Sequence, residues 1–244
     1  MNFVATLTAG LSNPARFMSV SRWLAPVLGA LAAVAMALGL AMGVGAPDDY
    51  QQGATIRIMF IHVPAAVLSM TIYACLAGAS FFGLVFRHVL ADAAAKAAAP
   101  LGAAFTGLAL VTGSLWGRPM WGTFWVWDAR LTSELVLLLL YLGYMALHAA
   151  LDDEVKAARA AAILALIGVV NLPIIHYSVV WWNSLHQGET ILAQGGSKAS
   201  AVYLWPLGLM FLGYLALFGS LWLVRIRTEV WRRRAAVQAL RAAG

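Results

Sequence analysis

Apolar positions fall along this chain in six long, nearly unbroken runs, separated by short stretches where charged residues collect. The runs cover residues 23–43, 58–86, 97–117, 131–151, 160–182 and 199–224. A helix needs about 20 residues to cross a hydrocarbon core, and each run is long enough. Strands of a membrane barrel would alternate polar and apolar residues over about ten positions, and these runs do not. The pattern predicts an all-α integral membrane protein, a six-transmembrane-helix bundle forming a single polytopic domain over residues 1–244. The second run exceeds the minimum, which implies tilt or a start above the lipid.

Composition excludes an ordinary soluble enzyme. Hydrophobic residues make up 62% of the chain and charged residues 11%, against about 25% charged in an average soluble domain. The net charge of +6 would suit nucleic acid, but the basic residues sit between apolar runs, as membrane topology requires. On the side shared by both termini lie Arg16, Arg22, Arg87, Lys96, Lys156, Arg159, Arg225, Arg227, Arg232, Arg233, Arg234 and Arg241; the other side holds Arg57, Arg118, Arg130 and Lys198. The positive-inside rule places the termini in the cytoplasm and the loops 44–57, 118–130 and 183–198 outside. The first run lacks a small-residue cleavage site after it and reads as a retained anchor. The basic tail 225–244 is amphipathic and faces anionic headgroups or a cytoplasmic partner. Cys75 is the single cysteine, so there is no internal disulfide and no thiol-exchange pair. No glycine-rich phosphate loop is present, so the chain does not bind ATP by itself.

The outward stretch WGRPMWGTFWVWDARLTSE stands apart. It holds Trp116, Trp121, Trp125 and Trp127, with Phe124 among them and Asp128 closing the run. In a helix, Trp121, Trp125 and Asp128 would share a face. Pro119 and Gly122 argue against a regular helix throughout and favour a re-entrant or surface-lying segment. Two readings fit the rings: an interfacial aromatic belt, or a platform for a large flat apolar ligand. A second tryptophan pair, Trp181 and Trp182, ends the fifth run.

The five histidines divide by depth. His88 and His148 lie at cytoplasmic helix ends and read as structural; His176 lies within the fifth run. His62 lies just below the outward surface in RIMFIHVPAA, and His186 lies in the third outward loop in VVWWNSLHQGET. Two histidines on the same side, each beside an aromatic or apolar surface, suit a metal-centred flat ligand such as haem, whose iron accepts two axial imidazoles. The outward cations available to its propionates are Arg57, Arg118 and Arg130. Zinc fits poorly, because no further ligand stands at metal-site spacing. Asp128 reads as a helix cap. Glu134, a costly acid inside a span, stands one turn from Arg130 and pairs with it or with another helix.

The run WGTFWVWDARLTSELVLLLLYLGY resembles the tryptophan-rich "WWD" signature of the haem-handling proteins of cytochrome c maturation. IHVPAA and NLPIIHYSVVWWNSLHQG add to the likeness, which covers roughly residues 16–224. Length and six runs favour the smaller haem-exporter branch over the larger haem-lyase relatives. The resemblance implies that haem, b-type, non-covalent and transient, is held at the periplasmic face of the bacterial inner membrane and passed to a membrane-anchored haem chaperone. It implies axial ligands at His62 and His186, and a haem platform at Trp116, Trp121, Phe124, Trp125, Trp127 and Asp128. Phe124 departs from the pattern, since many relatives carry a tryptophan there; a ring remains but the N–H donor is lost. Implied partners are an ABC-type ATPase subunit with its membrane subunit, and a small single-span accessory protein. The implied role is haem handling rather than catalysis. Two rival roles are a haem-conducting permease subunit and a haem-free docking subunit.

Overall fold

In the computed structural model, which describes residues 13–182, 184, 186 and 200–243, the chain is all α-helical apart from connections. Helix α1 covers Pro14–Val44. A 3₁₀ turn, Ala54–Ile58, leads into α2, Met59–Phe86. Then come α3, Val89–Trp121, α4, Ala129–Ala150, α5, Glu154–Gly168, α6, Asn171–Trp181, and α7, Ala201–Ala243. Joined end to end, α5 and α6 make one crossing. The six resulting helical units are long and apolar enough to cross a membrane, which bears out the all-α six-span bundle.

Local chemistry sets the helix starts. Asn13, His88, Asp128 and Asp153 stand at N-caps, where each side chain accepts a backbone N–H left over from the first turn. His88 thus takes the structural role read from the sequence, accepting from the Ala91 N–H at 3.2 Å. Helix α3 ends at Gly122, whose φ of +79° is the left-handed conformation that glycine adopts freely. The helix therefore runs through Pro119 to Trp121, and the six residues before Asp128 are irregular.

Helix α1 packs along α7, and α2 along α3; α4 closes on α3, and α5 and α6 pack on α4. The core lies between α2, α3, α4 and α7, around Phe60, Ile72, Tyr73, Leu76, Leu137, Tyr141 and Met210, all essentially buried. Lipid tails are as apolar as leucine, so close fit and internal hydrogen bonds hold such a bundle. Tyr141 donates its O–H to the Ser69 carbonyl at 2.7 Å, and Ser220 donates to the Ala25 carbonyl at 2.7 Å. Both bonds tie neighbouring helices.

Helix α7 continues from its apolar run through the basic residues that follow. Arg232 reaches Glu154 at the start of α5, and Arg233 reaches Asp92 on α3. The end of the bundle bearing these contacts is opposite the one that carries the tryptophan-rich segment 116–127. Residues 183, 185 and 187–199, most of the third outward loop expected from the sequence, lie outside the described residues.

Candidate haem-handling cleft

His62 sits in the first turn of α2, after the 3₁₀ turn and before Pro64. Its Nδ1 lies 3.0 Å from the Ala109 carbonyl and 3.1 Å from Thr112 Oγ1, both on α3. A carbonyl only accepts, so Nδ1 carries the proton and Nε2 is left with the free lone pair. The ring lies against α3 at Gly113, where an added Cβ would stand 2.9 Å from His62 Cε1. Trp116, one turn farther along, meets the imidazole edge-on with centroids 5.7 Å apart. Its indole N–H donates to Gln52 at 2.9 Å. Gln52 is positioned by a tight turn in which Asp49 accepts the Gln51 and Gln52 N–H groups, each at 2.9 Å.

His186 has a matching support. Its Nδ1 lies 2.9 Å from Asp128 Oδ2, while Asp128 Oδ1 caps α4 by accepting from the Leu131 N–H at 2.8 Å. Ser184 donates to the same Oδ2 at 2.6 Å. Asp128 is therefore both the cap expected from the sequence and the carboxylate partner of a histidine. Burial raises the Asp128 carboxyl, but the bonds from Ser184, the Leu131 N–H and His186 outweigh it, and its pKa falls below the ordinary 3.8. Burial lowers His186 below the ordinary 6.5 and outweighs the opposite pull of Asp128. The pair at neutral pH is a carboxylate and a neutral imidazole, again with Nε2 free. Trp121 packs on this ring with centroids 4.9 Å apart.

Both histidines line one cleft with Met70, Gly113, Arg130, Leu131, Glu134 and Ile175 among its walls. Its space, with the open side included, is about 430 Å³. Glu134 is buried and accepts from Ser69 Oγ on α2 at 2.7 Å, the cross-helix partner that the sequence left open beside Arg130.

The profile of the family described as "Heme exporter protein C" (CcmC) matches residues 7–241. The chain belongs to the haem exporter protein C family. The haem exporter protein C of Bradyrhizobium diazoefficiens is 56% identical over 92% of this chain and 85% of its own length. That of Escherichia coli K12 is 54% identical over 90% of this chain and 89% of its own. That of Paracoccus denitrificans is 46% identical over 92% and 94%.

In this haem exporter protein C relative, the remaining residues singled out in the sequence take different places. Trp125 and Trp127 meet edge-on at 5.4 Å; the Trp125 indole nitrogen is buried with no partner among the described residues, and Trp127 is 75% exposed. Phe124 is exposed and covered on one face by the Arg118 guanidinium, which also donates to the Gly122 carbonyl. Arg57 is held by Asp48 at 2.8 Å and by the Ala46 carbonyl at 2.9 Å. Arg130 alone of the three outward arginines lines the cleft. Trp181 and Trp182 are about half exposed and do not line the cleft; Trp181 stacks on Tyr177, and Trp182 meets Trp181 edge-on. His148 packs on Tyr144, and His176 on Tyr177.

The sequence reading missed Thr112, Gly113, Gln52 and the pairing role of Asp128. For Asp128 the available signal was its place directly after the tryptophans on the histidines' side of the membrane. The donor set fits haem: two neutral imidazoles, each held through Nδ1 so that Nε2 is free to ligate, with a cation and aromatic edges beside them.

Proposed function

We propose that the chain binds haem at the periplasmic face of the bacterial inner membrane and delivers it to a membrane-anchored haem chaperone for c-type cytochrome biogenesis. One observation carries this reading: two histidines far apart in sequence line the same cleft, each with Nδ1 tied to an acceptor. Second contacts of this kind fix the ring and raise the basicity of the ligating nitrogen. His62 and His186 are the axial ligands. Trp116, Trp121, Phe124, Trp125, Trp127 and Asp128 form the platform, and the orphaned Trp125 N–H offers one donor to bound cargo.

Arg130 is the first partner for a propionate, since a guanidinium meets a carboxylate through two parallel bonds. Arg57, held by Asp48, and Arg118, bonded to the Gly122 carbonyl, stand outside the lining of the cleft. The haem is b-type, held without a covalent bond and transiently. The iron supplies the Lewis acid that the two imidazoles ligate; the protein's own part is to orient, shield and release. This is haem handling, not catalysis.

Both termini lie in the cytoplasm, with the segments 44–57, 118–130 and 183–198 in the periplasm. An ABC-type ATPase subunit and its membrane subunit form a complex with the chain, and a small single-span protein assists it. Reduced-minus-oxidised absorbance spectra of the purified protein test the ligand assignment. His62→Ala and His186→Ala each lose the bis-histidine spectrum, whereas His88→Ala and His148→Ala keep it. Equal haem loss from all four folded variants would refute it, and a haem-free wild type would favour a docking subunit.

A further inference from the structure

The end of the bundle far from the cleft carries a second concavity, between α3 and α7, lined by Lys96, Ala97, Arg225, Thr228 and Glu229. It has about 180 Å³ of interior room for water-sized contents. Its depth relative to a bilayer follows from the sequence: Lys96 directly precedes the apolar run of α3, and Arg225 directly follows that of α7. Trp222, one turn before Arg225, donates its indole N–H to the Ala94 carbonyl at 2.8 Å, with its ring stacked on Phe218 at 5.1 Å. An indole with an apolar face and a bonded N–H is what the headgroup level selects.

Charge accounting then distinguishes this concavity from a plain ion-pair network. Arg232 takes Glu154 at 2.7 Å and Glu229 at 2.8 Å. Arg233 takes Glu229 at 2.8 Å and also Asp92. All three carboxylates are therefore answered by two arginines. Lys96 reaches only a distant edge of Glu229, at 3.5 Å, and Arg225 has no ion pair among the described residues. Four cations face three carboxylates, and the two under-used cations are the ones that line the hollow. On its side away from the apolar runs lies a separate buried cluster of Leu90, Ala93, Ala97, Ile226 and Val230, with Phe17, Met18 and Trp222 packed against it.

We propose that this hollow binds the phosphate of an anionic membrane phospholipid, with Lys96 and Arg225 as its cations. A basic pocket between spanning helices at the headgroup boundary is the usual form of such a site. A phosphate ion in solution carries the same chemistry, and the test must separate the two.

Native mass spectrometry of the full chain, released from micelles with added lipid, reads bound lipid per folded molecule. Dioleoyl phosphatidylglycerol should stay bound at collision energies that strip dioleoyl phosphatidylcholine. Removing one cation by Lys96→Gln or Arg225→Gln should weaken phosphatidylglycerol retention about fivefold each. Arg241→Gln, beyond the hollow, should leave it unchanged. Because Lys96→Gln also loosens Glu229, Arg225→Lys provides a second reading: it keeps the charge and should keep most of the binding. Equal retention of the two lipids, or an undiminished phosphatidylglycerol signal in Arg225→Gln, would overturn the proposal. Displacement of the lipid by millimolar inorganic phosphate at constant ionic strength would overturn the lipid assignment.

Discussion

Asp128 joins two tasks that substitution can separate. Asp128→Asn keeps an oxygen able to cap α4 but removes the charge that meets His186. Loss of such a carboxylate behind a ligating histidine costs about 10–100-fold in metal affinity, so haem titration of Asp128→Asn should show weakening of that size with the helical spectrum intact. The pH response has a definite sign. Asp128 has a depressed pKa, so its contribution to stability is present above its unfolded value and is lost as pH falls through the folded one. His186 is likewise depressed: its neutral form is favoured in the fold, and that contribution is present above about 6.5 and lost on acidification. Haem held through His186 should therefore stay bound through the ordinary imidazole range and be released only at more acid pH, as pH falls through the lowered value that burial gives His186 in the fold. Asp128 is the group that pulls the His186 pKa upward. In Asp128→Asn the release should begin at lower pH than in wild type, although binding near neutrality is weaker. Release beginning at higher pH would show that Asp128 does not govern the His186 proton.

Within the helices, three glycines of α3 make separable predictions. An added Cβ at Gly102 would stand 2.0 Å from the Tyr141 ring, whereas at Gly107 it would meet nothing within 4 Å. Gly102→Ala should displace Tyr141, break its bond to Ser69 and cost about 1–3 kcal/mol, the usual range for overpacking. Gly107→Ala should be neutral or stabilise by about 0.4–1 kcal/mol, and thermal unfolding in detergent compares them. Gly113→Ala acts on function instead: it pushes the His62 ring off α3 and should reduce haem per folded protein with little change in melting temperature. Helix existence and class were legible because apolar runs of this length admit few other structures. The break between α5 and α6 was less legible, since Val169 and Val170 are as apolar as their neighbours. Its signal lay in Gly168, Asn171 and Pro173, residues that punctuate a helix even inside an apolar run. The extension of α3 through Pro119 reflects the tolerance of spanning helices for proline near an end, where few backbone bonds are lost.

At the scale of the whole molecule, the aromatic segment, Gln52 and both cleft histidines lie at one end, and the arginine–carboxylate network lies at the other. A reporter active only in the periplasm should therefore be active when fused after Asp49 or Gly122, and silent after Ala93, Asp153 or Ala235. The opposite pattern would place the cleft in the cytoplasm and end the periplasmic proposal. The sequence offered His62, His186 and the tryptophans as candidates because their residue types are rare in such an apolar chain. It did not offer their supports. Asp128 and His186 are 58 positions apart, and His62 and Ala109 are 47 apart. Contacts over such separations follow from how α2, α3 and α4 pack, and a backbone carbonyl has no signature in sequence at all.

That difference between the two supports decides what genetic change can reach. The acceptor behind His186 is a side chain, so its strength is open to adjustment by single substitutions at position 128. The chief acceptor behind His62 belongs to the main chain, and every residue type at position 109 except one that moves the helix presents the same oxygen. Thr112→Val removes only the lesser contact, because the Thr112 hydroxyl is already committed to the Leu108 carbonyl at 2.7 Å. A graded series of variants can thus tune one side of the cleft while the other stays fixed, a built-in reference against which each step is read.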